Sequence, residues 1–370
     1  MPGPGEPTKG RGATVNPAGR FEPRRVEAVW DDVVFDDDDP PPNPATEVFL
    51  DKTRTILAKN DSPDVPFDVS VNPYRGCEHG CSYCFARATH PFLNLSAGLD
   101  FETKIFAKPN APSLLRREIA KPGYRCQPIA FGTNTDPYQP LERKMRIMRA
   151  ILEMLVAHEH PFSIVTKSAL ITRDLDLIAK AAARGQASAF LSVTTLDPDL
   201  ASRMEPRAAT PRRRLGALQA LSAAGVPCGV MASPMIPGLN DHELERILEA
   251  GAAAGATIAG MTLVRLPHEV KDVFSAWLET SEPSRAGKVL SLIRQAHGGK
   301  LYDSTWEKRM TGEGPYVEML SRRFDVACAR LGLNRERHRL ETSRFRRPAK
   351  PTPQRSLFET NAATREAKSS

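Results

Sequence analysis

The sequence predicts an α/β fold, a partial (β/α)6 barrel with N- and C-terminal extensions of low order. Three observations carry that expectation. Short apolar runs recur six times between residues 66 and 295, each followed by an amphipathic run of helical period. Such alternation joins parallel strands through right-handed crossovers. Polar residues gather just past the apolar runs, in "TNTDPYQP", "TKS" and "TTLDPD", where barrels of this type carry their chemistry. Eight units close such a barrel, and six leave it open.

The elements follow in order. "FDVSVNPY" alternates and is β-branched, so it reads as the first strand; "SLLRREIAK" is its helix. "PIAFGTNT" and "LERKMRIMRAILEMLVAH" form the second unit, "PFSIVTKS" and "RDLDLIAKAAARG" the third. "ASAFLSVTT" and "PRRRLGALQALSAAG" form the fourth, "PCGVMASPMIPG" and "DHELERILEAGAAAG" the fifth. Periodicity, glycine stops and Asn or Asp starts carry these assignments. "ATIAGMTLVRLP" is the sixth strand, with a helix around "FSAWLETSE".

The core thus spans residues 61–295. Residues 1–60 hold "MPGPGEPTKGRG" and the acidic, Pro-rich "DDVVFDDDDPPPNP", and are expected to be mostly disordered. A helical segment over 296–335, broken at Gly312 to Gly314, is expected to cover the barrel; there a turn would lay Trp306 and Tyr316 over the mouth, with Arg309 as a further substrate contact. Residues 336–370 read as a basic disordered tail. No apolar run approaches ~18 residues and the N-terminus has no apolar leader, so the expectation is a cytoplasmic protein without a membrane span.

The net charge is +7, which favours acidic or phosphate-bearing partners, nucleic acid among them. The arginines of "RAATPRRR" (Arg207, Arg212, Arg213, Arg214) read as a solvated helix face, with phosphate gripping as the other reading. His158 and His160 fall at a helix end, where capping is expected.

Three of the six cysteines, Cys77, Cys81 and Cys84, sit within eight residues just after the first strand. The scattered Cys126, Cys228 and Cys328 read as small core residues. Thiolates suit zinc or iron–sulfur. A structural zinc site takes four protein ligands, and His79 or His90 would have to supply the fourth. A [4Fe–4S] cubane held by three thiolates leaves its fourth iron open for a substrate or cofactor.

At this C-x3-C-x2-C loop, placed after strand one of a partial barrel, the chain resembles the radical S-adenosylmethionine superfamily. That resemblance implies a [4Fe–4S] cluster on Cys77, Cys81 and Cys84, with S-adenosylmethionine bound at the open iron. It also implies a 5′-deoxyadenosyl radical that abstracts hydrogen, and a reducing partner such as flavodoxin or ferredoxin. A finer likeness is to the spore photoproduct lyase-like branch, carried by Thr133 to Pro137, Val165-Thr166-Lys167, Ser192, Glu205-Pro206 and Arg214-Leu215. By that likeness Thr135 and Asp136 accept from the cofactor's ammonium, and Lys167 neutralises its carboxylate. Ser192 and Thr194 reach a ribose hydroxyl or that carboxylate. Glu205 and Arg214 pair with each other or grip the cofactor, and backbone beside Tyr83 and Phe85 lies against adenine. One departure stands out. The branch places a hydrogen-donating cysteine where this chain has Thr133.

The tail peptide "QRSLF" (Gln354, Leu357, Phe358) resembles the short motif by which bacterial repair and replication proteins bind the sliding clamp. With the charge and the branch, it favours a nucleic-acid lesion or modified base as substrate. A radical enzyme acting on a small metabolite or protein, and a non-catalytic zinc or iron–sulfur module, are the competing readings.

Overall fold

The computed structural model describes residues 10–21, 45–336 and 338–349. Ten short strands run in chain order: β1 (Glu47–Leu50), β2 (Leu57–Lys59), β3 (Val69–Val71), β4 (Tyr74–Arg75), β5 (Lys104–Ala107), β6 (Ile129–Phe131), β7 (Phe162–Thr166), β8 (Ala187–Ser192), β9 (Cys228–Met235) and β10 (Ile258–Leu263). β3, β6, β7, β8, β9 and β10 pair in that spatial order, all parallel. They are the six strands read from the sequence. Their helices are Ala111–Ile119, Ile147–Ala157, Leu175–Ala182, Pro211–Ala223, Leu244–Ala253 and Val270–Ser281.

The strands divide their side chains between two faces. On β7, Phe162, Ile164 and Thr166 are buried under the helices, while Ser163 and Val165 are half-buried. Lys167 continues that second face, joined by Phe190 of β8 and by Met231 and Ser233 of β9. A strand buried on both sides would show neither face open. The half-buried face therefore lines a hollow interior. One tight approach fixes β6 against β7. Gly132 has φ +86, and a Cβ there would lie 2.0 Å from the Val165 carbonyl oxygen.

The barrel stays open between β10 and β2, which pairs antiparallel with β3 at the other edge. Residues 302–312 bridge the two sides. Leu263 N–H donates to the Met310 carbonyl at 3.1 Å. On the far side Asp64 accepts from Glu307 N–H at 2.6 Å and pairs with Arg309. Arg309 is thus held as a latch. Trp306 is exposed, and the Tyr316 hydroxyl donates to Asp241. The expected helix broken at Gly312 to Gly314 begins only at Pro315, as Pro315–Leu331.

Order extends further at both termini than the composition suggests. Residues 10–21 pack onto the cysteine loop; Ala13 is fully buried, Ser96 donates to the Pro17 carbonyl, and Arg20 pairs with Glu269 at 2.6 Å. β1 joins β5 and β4 in a second, three-stranded sheet. At the other end, Glu341 and Arg346 N–H groups donate to the Gly185 and His158 carbonyls, both at 2.8 Å. Phe345 lies edge-on to His160 and Tyr124. Low hydrophobicity concealed this packing because backbone hydrogen bonds and single aromatic anchors make it. The acidic run and the Gln354, Leu357 and Phe358 motif lie outside the described residues. Among the described residues, no helix is long and apolar enough to cross a membrane.

Replacing Gly132 by alanine forces a left-handed backbone and a clash with main chain together. It should lower stability by more than ~2 kcal/mol. A denaturant midpoint equal to wild type would show that β6 and β7 are not so tightly joined.

Candidate active site

The cysteine loop leaves β4 and has almost no regular structure, so other groups must hold it. Cys77 N–H donates to the Phe101 carbonyl at 3.0 Å, and Ser82 N–H to that of Met204 at 3.0 Å. The Gly76 carbonyl accepts from the Thr135 hydroxyl at 2.7 Å and from the Gln139 amide at 3.3 Å. Gln139 in turn accepts from Glu78 N–H at 2.9 Å. Arg87, fully buried, donates to the Cys81, Ala97 and Gly98 carbonyls and pairs with fully buried Glu102. Glu102 also accepts from the N–H groups of Gly12 at 3.1 Å and Ala13 at 2.8 Å.

Asp136 forms a second anchor. Its carboxylate accepts from Tyr138 N–H at 2.9 Å, the Thr166 hydroxyl at 2.6 Å and Lys167 N–H at 2.8 Å, with His79 Nδ1 at 3.4 Å. Burial pushes this carboxyl up, but His79 and the donated hydrogen bonds outweigh it and hold the value at about 2. Three hydrogen bonds and the His79 contact occupy most of its acceptor capacity. In this structure Asp136 is therefore engaged within the protein, and Thr135 is likewise engaged by Gly76 and Gln139.

A buried ion pair forms the third anchor. Arg214 pairs with Glu205 and donates to the carbonyls of Ser192 at 2.9 Å and Ala209 at 2.7 Å. Glu205 also accepts from Tyr83 and from Thr194. Burial raises Glu205, and Arg214 with Lys167 outweighs that to hold it at about 2. Of the two readings for Glu205 and Arg214, mutual pairing is the one seen; their polar atoms face protein.

Two of the candidate residues keep free groups. Among the described residues, Lys167 Nζ and Ser192 Oγ have no hydrogen-bond partner, and both lie on the hollow face. The Lys167 ammonium sits 5.6 Å over the Tyr83 ring. Burial lowers its pKa, but Cys81 and Glu205 outweigh that and raise it. Phe85 is partly exposed, with the Arg265 guanidinium 4.7 Å over its ring. Thr133, at the end of β6, is bonded to Asn72 at 2.9 Å.

The chain is similar to known proteins. The family model described as Radical SAM superfamily matches residues 71–251, the cysteine loop through the fifth unit. A Mycobacterium tuberculosis protein, itself uncharacterized, is 40% identical over 233 residues, covering 62% of this chain and 68% of the relative. An uncharacterized Methanocaldococcus jannaschii protein is 29% identical over 201 residues, 54% of this chain and 72% of its own. The chain belongs to the radical SAM superfamily. Among solved structures, a spore photoproduct lyase variant superimposes with a TM-score of 0.56 at 15% identity, over 77% of this chain and 80% of the other. That likeness is one of fold. A second such variant gives 0.55 over the same shares.

Radical SAM proteins use a [4Fe–4S] cluster and S-adenosylmethionine, and they require an electron donor. The residues here fit such a group. The donor set is three cysteines in one loop, with Cys77 and Cys81 buried and Cys84 partly open. Burial pushes the Cys77 thiol well above its usual value and Cys81 to about 12, so iron held by them would have to displace their protons. Ser82 Oγ, inside the loop, is buried without a hydrogen-bond partner. The zinc reading fits less well. His79 faces Asp136, and His90 faces the Lys104 carbonyl at 3.1 Å. Among the described residues, no three His, Cys, Asp or Glu side chains converge on a single-ion site.

Sequence reasoning missed Arg87, Glu102, Gln139 and Asn240, the last of which donates to the Thr194 carbonyl at 2.7 Å. Each also reaches a partner or an element that only the fold brings near, so residue type alone does not mark them.

Glu205→Gln should cost about 3 kcal/mol at neutral pH, because it leaves Arg214 buried beside a neutral partner. The folded pKa of Glu205 lies below its unfolded value. Its contribution is therefore complete above about pH 4.5 and is lost as pH falls toward 2. The variant should show a flatter acid limb in urea midpoints of the metal-free protein. Parallel limbs for variant and wild type would overturn this.

Proposed function

We propose that Cys77, Cys81 and Cys84 ligate the cluster, and that Lys167 receives the carboxylate of S-adenosylmethionine with Ser192 beside it. The observation that carries this reading is the division of polar groups around the cysteine loop. The free ammonium and hydroxyl face the hollow interior next to that loop, and every other polar candidate is spent on the frame. When bound, the cluster and S-adenosylmethionine supply the one-electron cleavage that starts hydrogen abstraction. The protein's own contribution is positional. Lys167, kept charged by its surroundings, neutralises an anion out of bulk water. The Glu205–Arg214 pair fixes Tyr83 and the end of β8.

We further propose a nucleic-acid lesion or modified base as the substrate. The solved spore photoproduct lyase variants include one with bound AdoMet and dinucleoside spore photoproduct. The net charge of +7 supports the same class. Thr133 argues that the chemistry after abstraction differs from that of the lyase branch. A hydroxyl already bonded to Asn72 is a poor hydrogen-atom donor beside a thiol. Cytoplasmic location and a flavodoxin- or ferredoxin-type reductant complete the reading.

Anaerobic reconstitution tests it. Wild type should bind four irons and release 5′-deoxyadenosine, faster with damaged DNA than with undamaged DNA or none. Alanine at any of the three cysteines should abolish the ~400 nm absorption. Lys167→Ala should keep the iron and weaken S-adenosylmethionine binding at least tenfold by calorimetry. Equal release with and without DNA would leave the radical chemistry and remove the nucleic-acid substrate.

A further inference from the structure

The arginines of "RAATPRRR" do not act together. Arg214 turns inward to Glu205, and Arg207 pairs with Glu78 at 3.0 Å. Arg213 instead faces a cleft of about 70 Å³ on the rim of the barrel mouth, together with Arg207 and with Arg143 from the segment after β6. His79 of the cysteine loop and Ser168 of the loop after β7 also line it.

Several features make this cleft electropositive. None of its lining residues is acidic. Among the described residues, neither Arg143 nor Arg213 has a carboxylate partner. The nearby acids are engaged, Glu78 by Arg207 and Asp136 by backbone and hydroxyl donors. The helix Pro211–Ala223 starts here, with no acidic residue in its first turn and no side-chain cap from Thr210. Its first N–H groups add partial positive charge to that of the arginines. Glu78 offsets Arg207, while Arg143 and Arg213 bring charge that no carboxylate among the described residues pairs. A bound anion offsets that charge. The volume suits a tetrahedral oxyanion, since about 15 Å³ of such space holds a water. Arginine's planar fork matches phosphate oxygens in pairs.

We propose that this cleft binds a backbone phosphodiester of a nucleic-acid strand. The proposal rests on the nucleic-acid reading above and deepens it. His79 lies two residues from both Cys77 and Cys81, so a phosphate held here backs directly onto the cysteine loop. The strand would then lie across the rim with a neighbouring nucleotide free to enter the hollow interior. Phosphate contacts of this kind set register and carry no base preference.

The test uses the reconstituted full-length chain and a short labelled single-stranded oligonucleotide, read by fluorescence anisotropy from roughly 50 to 200 mM salt. Arg143→Ala/Arg213→Ala should bind at least tenfold more weakly at the low-salt end. Its log–log salt slope should be shallower by about 0.7 for each phosphate charge that the protein no longer neutralises. Arg143→Lys/Arg213→Lys should recover part of the affinity, because charge is kept while the fork is removed. Inorganic phosphate should compete with the oligonucleotide on wild type. Thermal melting and iron content of each variant show that it has folded. Unchanged affinity and slope in a folded double-alanine variant would overturn the proposal. So would a wild type that binds free phosphate but no oligonucleotide. Oligonucleotide binding that depends on both arginines, without DNA-stimulated release of 5′-deoxyadenosine, would uphold the cleft while removing the substrate reading.

Discussion

The buried pair of Arg87 and Glu102 is the constraint on which the site depends. Both side chains are fully shielded from water, so neither charge is tolerable alone. An apolar pair of similar volume would pack as well, but it would leave a set of backbone groups unbonded. Arg87 satisfies the carbonyls of Cys81, Ala97 and Gly98, and Glu102 satisfies the N–H groups of Gly12 and Ala13. One ion pair thus ties the cysteine loop, the segment after it and the N-terminal residues into one body. A loop without helix or strand cannot fix three thiols by its own hydrogen bonds. Removing one partner leaves the other charged and dry, at a cost on the order of 3–5 kcal/mol.

The other anchors follow the same logic. Asp136 fastens the end of β6 to that of β7, and the Glu205–Arg214 pair fastens the end of β8 to the cysteine loop through Tyr83. Each anchor is polar, buried and engaged within the protein. Polar groups used up in this way shape a site without binding a ligand. Lys167 and Ser192 stand out because they are not used up. The distinction between frame and grip is one of hydrogen-bond capacity, and residue type alone does not reveal it.

That explains how far the sequence could be read. All six parallel strands and their helices were legible, because apolar period and glycine stops are local signals. The cysteine loop was legible because its spacing is local too. The roles of Asp136, Glu205 and Arg214 were half legible. Their places at strand ends were evident, but their partners come from other units of the barrel. Arg87 and Glu102 carried no signal, since each looks like an ordinary exposed charge until the fold brings them together. The second sheet of β1, β5 and β4 was hidden for a related reason. β1 is a four-residue apolar run exposed along its whole length, too short to be told from a loop before its partner β5 is placed.

The open flank of the barrel bears on access. Six strands leave a gap between β10 and β2, and such a gap would admit a substrate from the side. Residues 302–312 cross it, hydrogen-bonded to β10 through Met310 and latched to the β2–β3 loop through Asp64. At the opposite end of the strands, Phe345 packs on His160 and Tyr124, so the tail segment closes the base. The remaining approach is the rim at the C-terminal ends of the strands. There the cysteine loop, Lys167, Ser192 and the half-exposed Phe85 lie together. A substrate reaching the cluster must therefore pass over a rim whose charge is set by arginines. Arginines at that rim favour anionic groups over neutral or cationic ones.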